Sequence, residues 1–234
     1  MKNKFTLIEL LVVVAILGIL VTLLLPSLTK AREISKRAVC LSQQKQLYLG
    51  TALYGKNNNE YLPRGYRYGG QPNNYNDQGI NSLSEEIYLD LRDNYMGGVN
   101  NNMFKCVNID GYFRYESSWK SYRIGYSYTG DRPSLNQNFN YEFPTRVTDN
   151  NRVVLWGEAN IWASSWNLTI APHTSGGGIQ KWPDGGMSAQ SIGAQGGNYT
   201  FLDGGGKWHS KNKLETYEFF ANGGLSGLLP SNMW

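Results

Sequence analysis

The sequence predicts an α+β protein: one long N-terminal helix followed by an antiparallel β-sheet head with long loops. Three observations predict it. Apolar residues concentrate in one run, residues 7–25, LIELLVVVAILGILVTLLL, which carries a single charge, Glu9. No proline and a single glycine, Gly50, interrupt the chain from Ser27 to about Tyr54, so the helix continues past that run. The remaining 180 or so residues hold short alternating segments separated by Gly- and Asn-rich stretches, the pattern of strands joined by surface connections.

The first element is the helix. At about 1.5 Å per residue, Phe5 to Leu28 spans about 36 Å, enough to cross a bilayer core of about 30 Å. Lys2 and Lys4 precede it, and Lys30, Arg32, Lys36 and Arg37 follow it. The apolar run is longer than a signal-peptide core, and Leu25-Pro26-Ser27 offers no small-x-small cleavage site. A plain anchor fits the length but leaves Glu9 unexplained, because a carboxylate within a membrane helix costs a few kcal/mol and calls for a partner. Beyond the membrane, Ile34, Ala38, Leu41, Tyr48 and Ala52 recur at helical spacing and predict the face that packs under the head. Gly55-Lys56-Asn57-Asn58-Asn59 predicts its end.

The head is expected over residues 60–234. Ser84 to Arg92 reads as a short helix with Ser84 as its N-cap. Ser121–Gly130 and Asn151–Gly157 read as strands, and Asn198–Asp203 with Lys207–Ser210 as a hairpin around Gly204-Gly205-Gly206. Residues 64–82, 131–146 and 173–197 read as surface loops. A single membrane-length run excludes a multi-span protein, and 13% aromatic residues argue against a disordered chain. The 27 glycines follow no three-residue period, which excludes collagen. The net charge of +4 is spread rather than clustered, so no nucleic-acid partner is expected.

The segment Lys4-Phe5-Thr6-Leu7-Ile8-Glu9-Leu10-Leu11 resembles the N-terminus of type IV pilins and type II secretion pseudopilins. The resemblance implies a leader, residues 1–4, removed by a prepilin peptidase between Lys4 and Phe5, with N-methylation of Phe5. Lys4 stands where the family usually has glycine. It further implies that residues 5–29 are the transmembrane and assembly helix, that residues 30–59 continue it under the head, and that Glu9 pairs with the terminal amine of a neighbouring subunit. An ammonium and a carboxylate in hydrocarbon neutralise each other only at one stagger, so the pair would set register. Gly18 and Pro26 match positions between which pilin helices loosen. The implied function is a structural subunit of a type II secretion pseudopilus or type IV pilus-like filament. Its partners are other pilin or pseudopilin subunits, the prepilin peptidase, an inner-membrane assembly platform and lipid, with the head in the periplasm. The alternative is a membrane-tethered module that binds glycan or another surface ligand through its aromatic-rich head.

Two cysteines, Cys40 and Cys106, can pair if the head is exported. Related pseudopilin-like proteins carry cysteines in similar contexts, which implies a disulfide; two buried free thiols are the other reading. Such a bond would close a loop of about 65 residues and contribute on the order of 4 kcal/mol. No HExxH, GxSxG, P-loop or CxxC motif is present, and no enzymatic activity or cofactor is expected. His173, His209, Asp184 and Asp203 are weak metal candidates. Calcium, used by major pseudopilins in a C-terminal loop, would need more carboxylates than Pro183-Asp184-Gly185 and Asp203-Gly204 supply. Phe201-Leu202-Asp203-Gly204, followed by Lys207-Trp208, resembles the ending of many pilin-like proteins, in which a histidine equivalent to His173 precedes it; Gly205 replaces a second histidine.

Overall fold

A computed structural model describes residues 6–65, 80–98, 101–109, 112–132, 143–149, 152–181, 185–218 and 226–230. Helix α1 spans Leu7–Asn57 and runs unbroken through Gly18 and Pro26. It ends two residues beyond Gly55, where Asn59 and Glu60 both adopt left-handed backbone and turn the chain out. Thr6 caps the start: its hydroxyl accepts from the Glu9 amide, and the Glu9 carboxylate accepts from the Thr6 amide at 2.8 Å.

The two halves of α1 have different surroundings. Every residue from Leu7 to Leu28 is exposed, and the most apolar window has nothing packed against it. It is long and apolar enough to cross a membrane. The second half lies on the head through Cys40, Gln44, Leu47, Thr51 and Gly55. This differs from the face expected from hydropathy: Ile34 and Ala38 are exposed, and Leu41, Tyr48 and Ala52 are only half-buried. The reason is chemical. Gln44 donates to the Asn198 carbonyl, and the Trp156 indole donates to Thr51 Oγ1 at 3.0 Å, so polar residues occupy the buried face.

The head contains three antiparallel sheets among the described residues. The first has the order β1 (Ser82–Ser84), β3 (Ser121–Arg123), β2 (Arg114–Glu116). The second runs β10 (Gly206–Ser210), β9 (Gly196–Phe201), β5 (Val154–Glu158), β4 (Tyr126–Tyr128). The third runs β11 (Leu214–Glu218), β12 (Ser226–Pro230), β6 (Ile161–Ala163), β7 (Leu168–Thr174), β8 (Gly177–Lys181). Helix α2, Glu85–Asp90, is capped by Ser84, whose hydroxyl accepts from the Ile87 amide, as expected; a wider turn continues it to Tyr95.

The hairpin expected near the end forms as β9 and β10, with Gly206 opposite Thr200. Two expectations are corrected. The strand expected over 121–130 is two strands in different sheets, because the chain turns at Gly125, where a Cβ would meet the Cys106 amide nitrogen at 2.5 Å. The loop expected over 173–197 begins in β7 and contains all of β8. Gly178 is a strand glycine in β8, where a Cβ would collide with the Asn108 carbonyl.

The core joins the second sheet to α1. Trp156, Phe104, Tyr88, Tyr128 and Tyr199 are fully buried in it. Phe104 lies 4.9 Å from Tyr88, ring to ring, and meets Trp156 edge-on.

Candidate functional site

The buried polar cluster where α1 meets the sheets is the chemically richest point in the described chain. Five parts of the fold build it. Helix α1 supplies Cys40 and, two turns earlier, Glu33. The turn after Phe104 supplies Cys106 and Asn108; Phe104 anchors it in the core, and its carbonyl accepts from the Gly125 amide at 2.7 Å. Strand β7, buried along its whole length, supplies His173. The end of β5 supplies Glu158, and β9 supplies Asn198.

The sulfurs of Cys40 and Cys106 lie 3.1 Å apart, both fully buried. His173 completes a group whose sulfur and ring-nitrogen atoms all lie within 4.8 Å of one another. Its Nε2 faces Glu158 Oε1 at 3.1 Å, and the same carboxylate oxygen accepts from Asn198 Nδ2 at 2.7 Å. Its Nδ1 lies 3.0 Å from Asn108 Nδ2 and 3.6 Å from Glu33 Oε2.

Burial and proximity set the charges. The hydrogen bond from the Cys106 thiol, opposed by burial and reinforced by His173, holds Cys40 down at about 5. Bonding to Cys40 and burial push the Cys106 thiol up, so the shared proton stays on Cys106. Burial works against a charged His173, but Glu158 and Cys40 outweigh it and hold the imidazole up at about 10. Burial raises the Glu158 carboxyl, with His173 opposing it. Cys40 and His173 are thus both shifted toward their charged forms, beside the buried Glu158 carboxyl and a second thiol.

The other expected site residues lie elsewhere. His209, on β10, is buried against Tyr199 and Phe201, and burial together with Lys207 and Lys213 lowers its pKa. Asp203 is exposed and accepts from the Gly205 amide at 2.7 Å, shaping the turn in which Gly204 takes a left-handed conformation. Calcium wants six to eight oxygens, and no such set surrounds Asp203 among the described residues. Lys4, Phe5 and Asp184 lie outside the described residues. Trp156 and Trp162 are buried, so neither indole is presented to a ligand.

A tetrahedral zinc ion would hold two thiolates about 3.8 Å apart, from Zn–S bonds of about 2.3 Å. The sulfurs here, 3.1 Å apart, are closer than that. Thiol–disulfide chemistry fits the geometry better. Glu33, Asn108, Glu158 and Asn198 are absent from the sequence-based candidates. One signal for Glu158 was available: a carboxylate directly ending the apolar strand Val153-Val154-Leu155-Trp156-Gly157.

No protein-family model, curated protein or solved structure matches the chain.

Proposed function

We propose that the chain is a structural subunit of a type II secretion pseudopilus or type IV pilus-like filament, cut between Lys4 and Phe5 and assembled through its N-terminal helix. One observation carries the reading. Helix α1 joins a fully exposed apolar half, charged only at Glu9, to a half docked on the head. An exposed apolar surface of that size must be covered by lipid or by like helices, and a filament subunit uses both in turn. Glu9 supports the reading, since at this depth a carboxylate needs a cationic partner. The N-terminal amine of a neighbouring mature subunit supplies one. The head then faces the periplasm, and the inner-membrane platform and prepilin peptidase are the other partners.

The test is Glu9→Ala in the full chain. The variant is expected to insert in the membrane at wild-type level and to fail to assemble, scored by sedimentation of sheared filaments. Assembly at wild-type level would overturn the proposal. Mass spectrometry of the mature chain is expected to find a methylated Phe5 at its start.

A further inference from the structure

We propose that Cys40, His173 and Glu158 form a built-in nucleophile, base and orienting carboxylate, and that this triad installs a disulfide between Cys40 and Cys106 that locks α1 to the head. The geometry suits an activated thiol: the Cys40 sulfur lies within 4.8 Å of a nitrogen of an imidazole whose Nε2 is held by a buried carboxylate. Asn198 fixes that carboxylate, and its amide also donates to the Arg37 carbonyl at 2.8 Å, tying the triad to α1. The electrophile's second partner, Cys106, is already in place 3.1 Å away.

The groups facing the Cys40 sulfur are Cys106, His173 and the Tyr126 hydroxyl, with Glu158 and Glu33 behind His173. Arg37, one turn earlier on α1, stacks on Trp208 at 3.9 Å. A cleft of about 500 Å³ between α1 and the end of β7 reaches Glu33, and so ends one side chain from the triad. Both sulfurs and the imidazole are fully buried, so a small linear disulfide entering this cleft reaches Cys40 only when the Glu33 side chain swings aside.

The reaction is thiol–disulfide exchange with an external disulfide as oxidant. The Cys40 thiolate attacks one sulfur of the reagent; a mixed disulfide forms and the leaving thiolate takes the proton from His173. The neutral imidazole then accepts the Cys106 proton. The Cys106 thiolate attacks the Cys40 sulfur of the mixed disulfide, and the second leaving thiolate takes that proton. Two protein thiols become one disulfide, and the reagent is reduced to two thiols.

The triad changes the pH profile more than the rate at pH 7. Lowering a thiol pKa by about four units raises its thiolate fraction about 100-fold at neutral pH, while a Brønsted slope of about 0.4–0.5 lowers its nucleophilicity by about 40- to 100-fold. The two nearly cancel there. Below neutrality they do not: an ordinary thiol loses rate about tenfold per pH unit, whereas a preformed thiolate keeps it.

The experiment uses the reduced full chain in detergent micelles with hydroxyethyl disulfide, following loss of maleimide-reactive thiols by mass. The wild-type rate is expected to change less than about threefold between pH 6 and pH 8, and the His173→Gln rate to fall more steeply than wild type toward acid, because His173 reinforces the Cys106 hydrogen bond in holding Cys40 down. Ultraviolet thiolate absorption of the reduced wild type, with Cys40→Ser as baseline, is expected to persist to pH 6. If His173→Gln does not fold, Glu158→Gln and the wild-type absorption decide the matter alone. A wild-type rate that falls tenfold per unit, no thiolate absorption at neutral pH, or one tightly bound zinc per chain shielding both thiols would each overturn the proposal. Only the consequence for a filament, that tension on the head passes to α1 through a covalent bond, rests on the function proposed above. The exchange chemistry is measured on isolated chains and stands or falls separately.

Discussion

At the scale of single residues, the Cys40–His173 pair makes stability depend on pH in a way that reveals its redox state. His173 is raised in the fold from 6.5 to about 10, so the stability it contributes is full below pH 6.5 and lost as pH rises through 10. Cys40 is lowered from 9.0 to about 5, so its contribution is full above pH 9 and lost as pH falls through 5. Between pH 6.5 and 9 the two slopes oppose each other in the reduced chain. A disulfide removes the Cys40 titration and Cys40's share in raising His173, leaving Glu158 to hold the imidazole up. The reduced chain is therefore expected to keep a nearly level stability over this window, while the oxidised chain loses stability with rising pH, by up to about 1.4 kcal/mol per unit. Urea denaturation of both forms across the window checks it. Parallel curves would show that Cys40 carries no charge in the fold.

At the scale of elements, α1 shows what hydropathy can and cannot read. Its existence, length and apolar first half were legible because nineteen residues with one charge leave little choice of structure or solvent. The N-cap of α2 and the β9–β10 hairpin were legible for local reasons: a serine before two glutamates, and a glycine triplet between alternating runs. The docking face of α1 was not, because burial there follows hydrogen bonds to the head, and a period built on apolar residues passes over Gln44 and Thr51. The same blindness hid β8 and Glu158, whose positions depend on contacts far away in sequence. Cys40 and Cys106 were legible as a pair only through resemblance, and His173 came to them only in three dimensions. Thr51→Val tests the polar docking directly. The variant keeps the shape but leaves the buried Trp156 N–H without its acceptor, which costs about 1–3 kcal/mol. A lower denaturation midpoint with unchanged slope, and altered Trp fluorescence, are expected. An unchanged midpoint would mean that the indole finds another acceptor.

At the scale of the whole molecule, α1 belongs to two bodies, and the boundary between them falls near the end of the apolar run. No residue from Leu7 to Leu28 packs on the head, whereas Cys40, Gln44, Leu47 and Thr51 are as fully buried as the centre of the sheets. Removing the first segment takes away exposed apolar surface and no core contact. Removing the second uncovers the Trp156 indole, the Cys106 sulfur and the Asn198 carbonyl together, and deletes the fully buried Leu47, a loss comparable to several kcal/mol for one core side chain alone. A domain of this size is stable by only about 5–15 kcal/mol, so it does not survive that deletion. A chain starting at Lys30 is therefore expected to be soluble without detergent and to unfold cooperatively, with a midpoint within a few degrees of the full chain in micelles. A chain starting at Asn58 is expected to lack a cooperative transition. Circular dichroism melts of the two truncations decide the point. Cooperative unfolding of the shorter one would place the head's core entirely within its sheets and reduce the second half of α1 to a passive stalk.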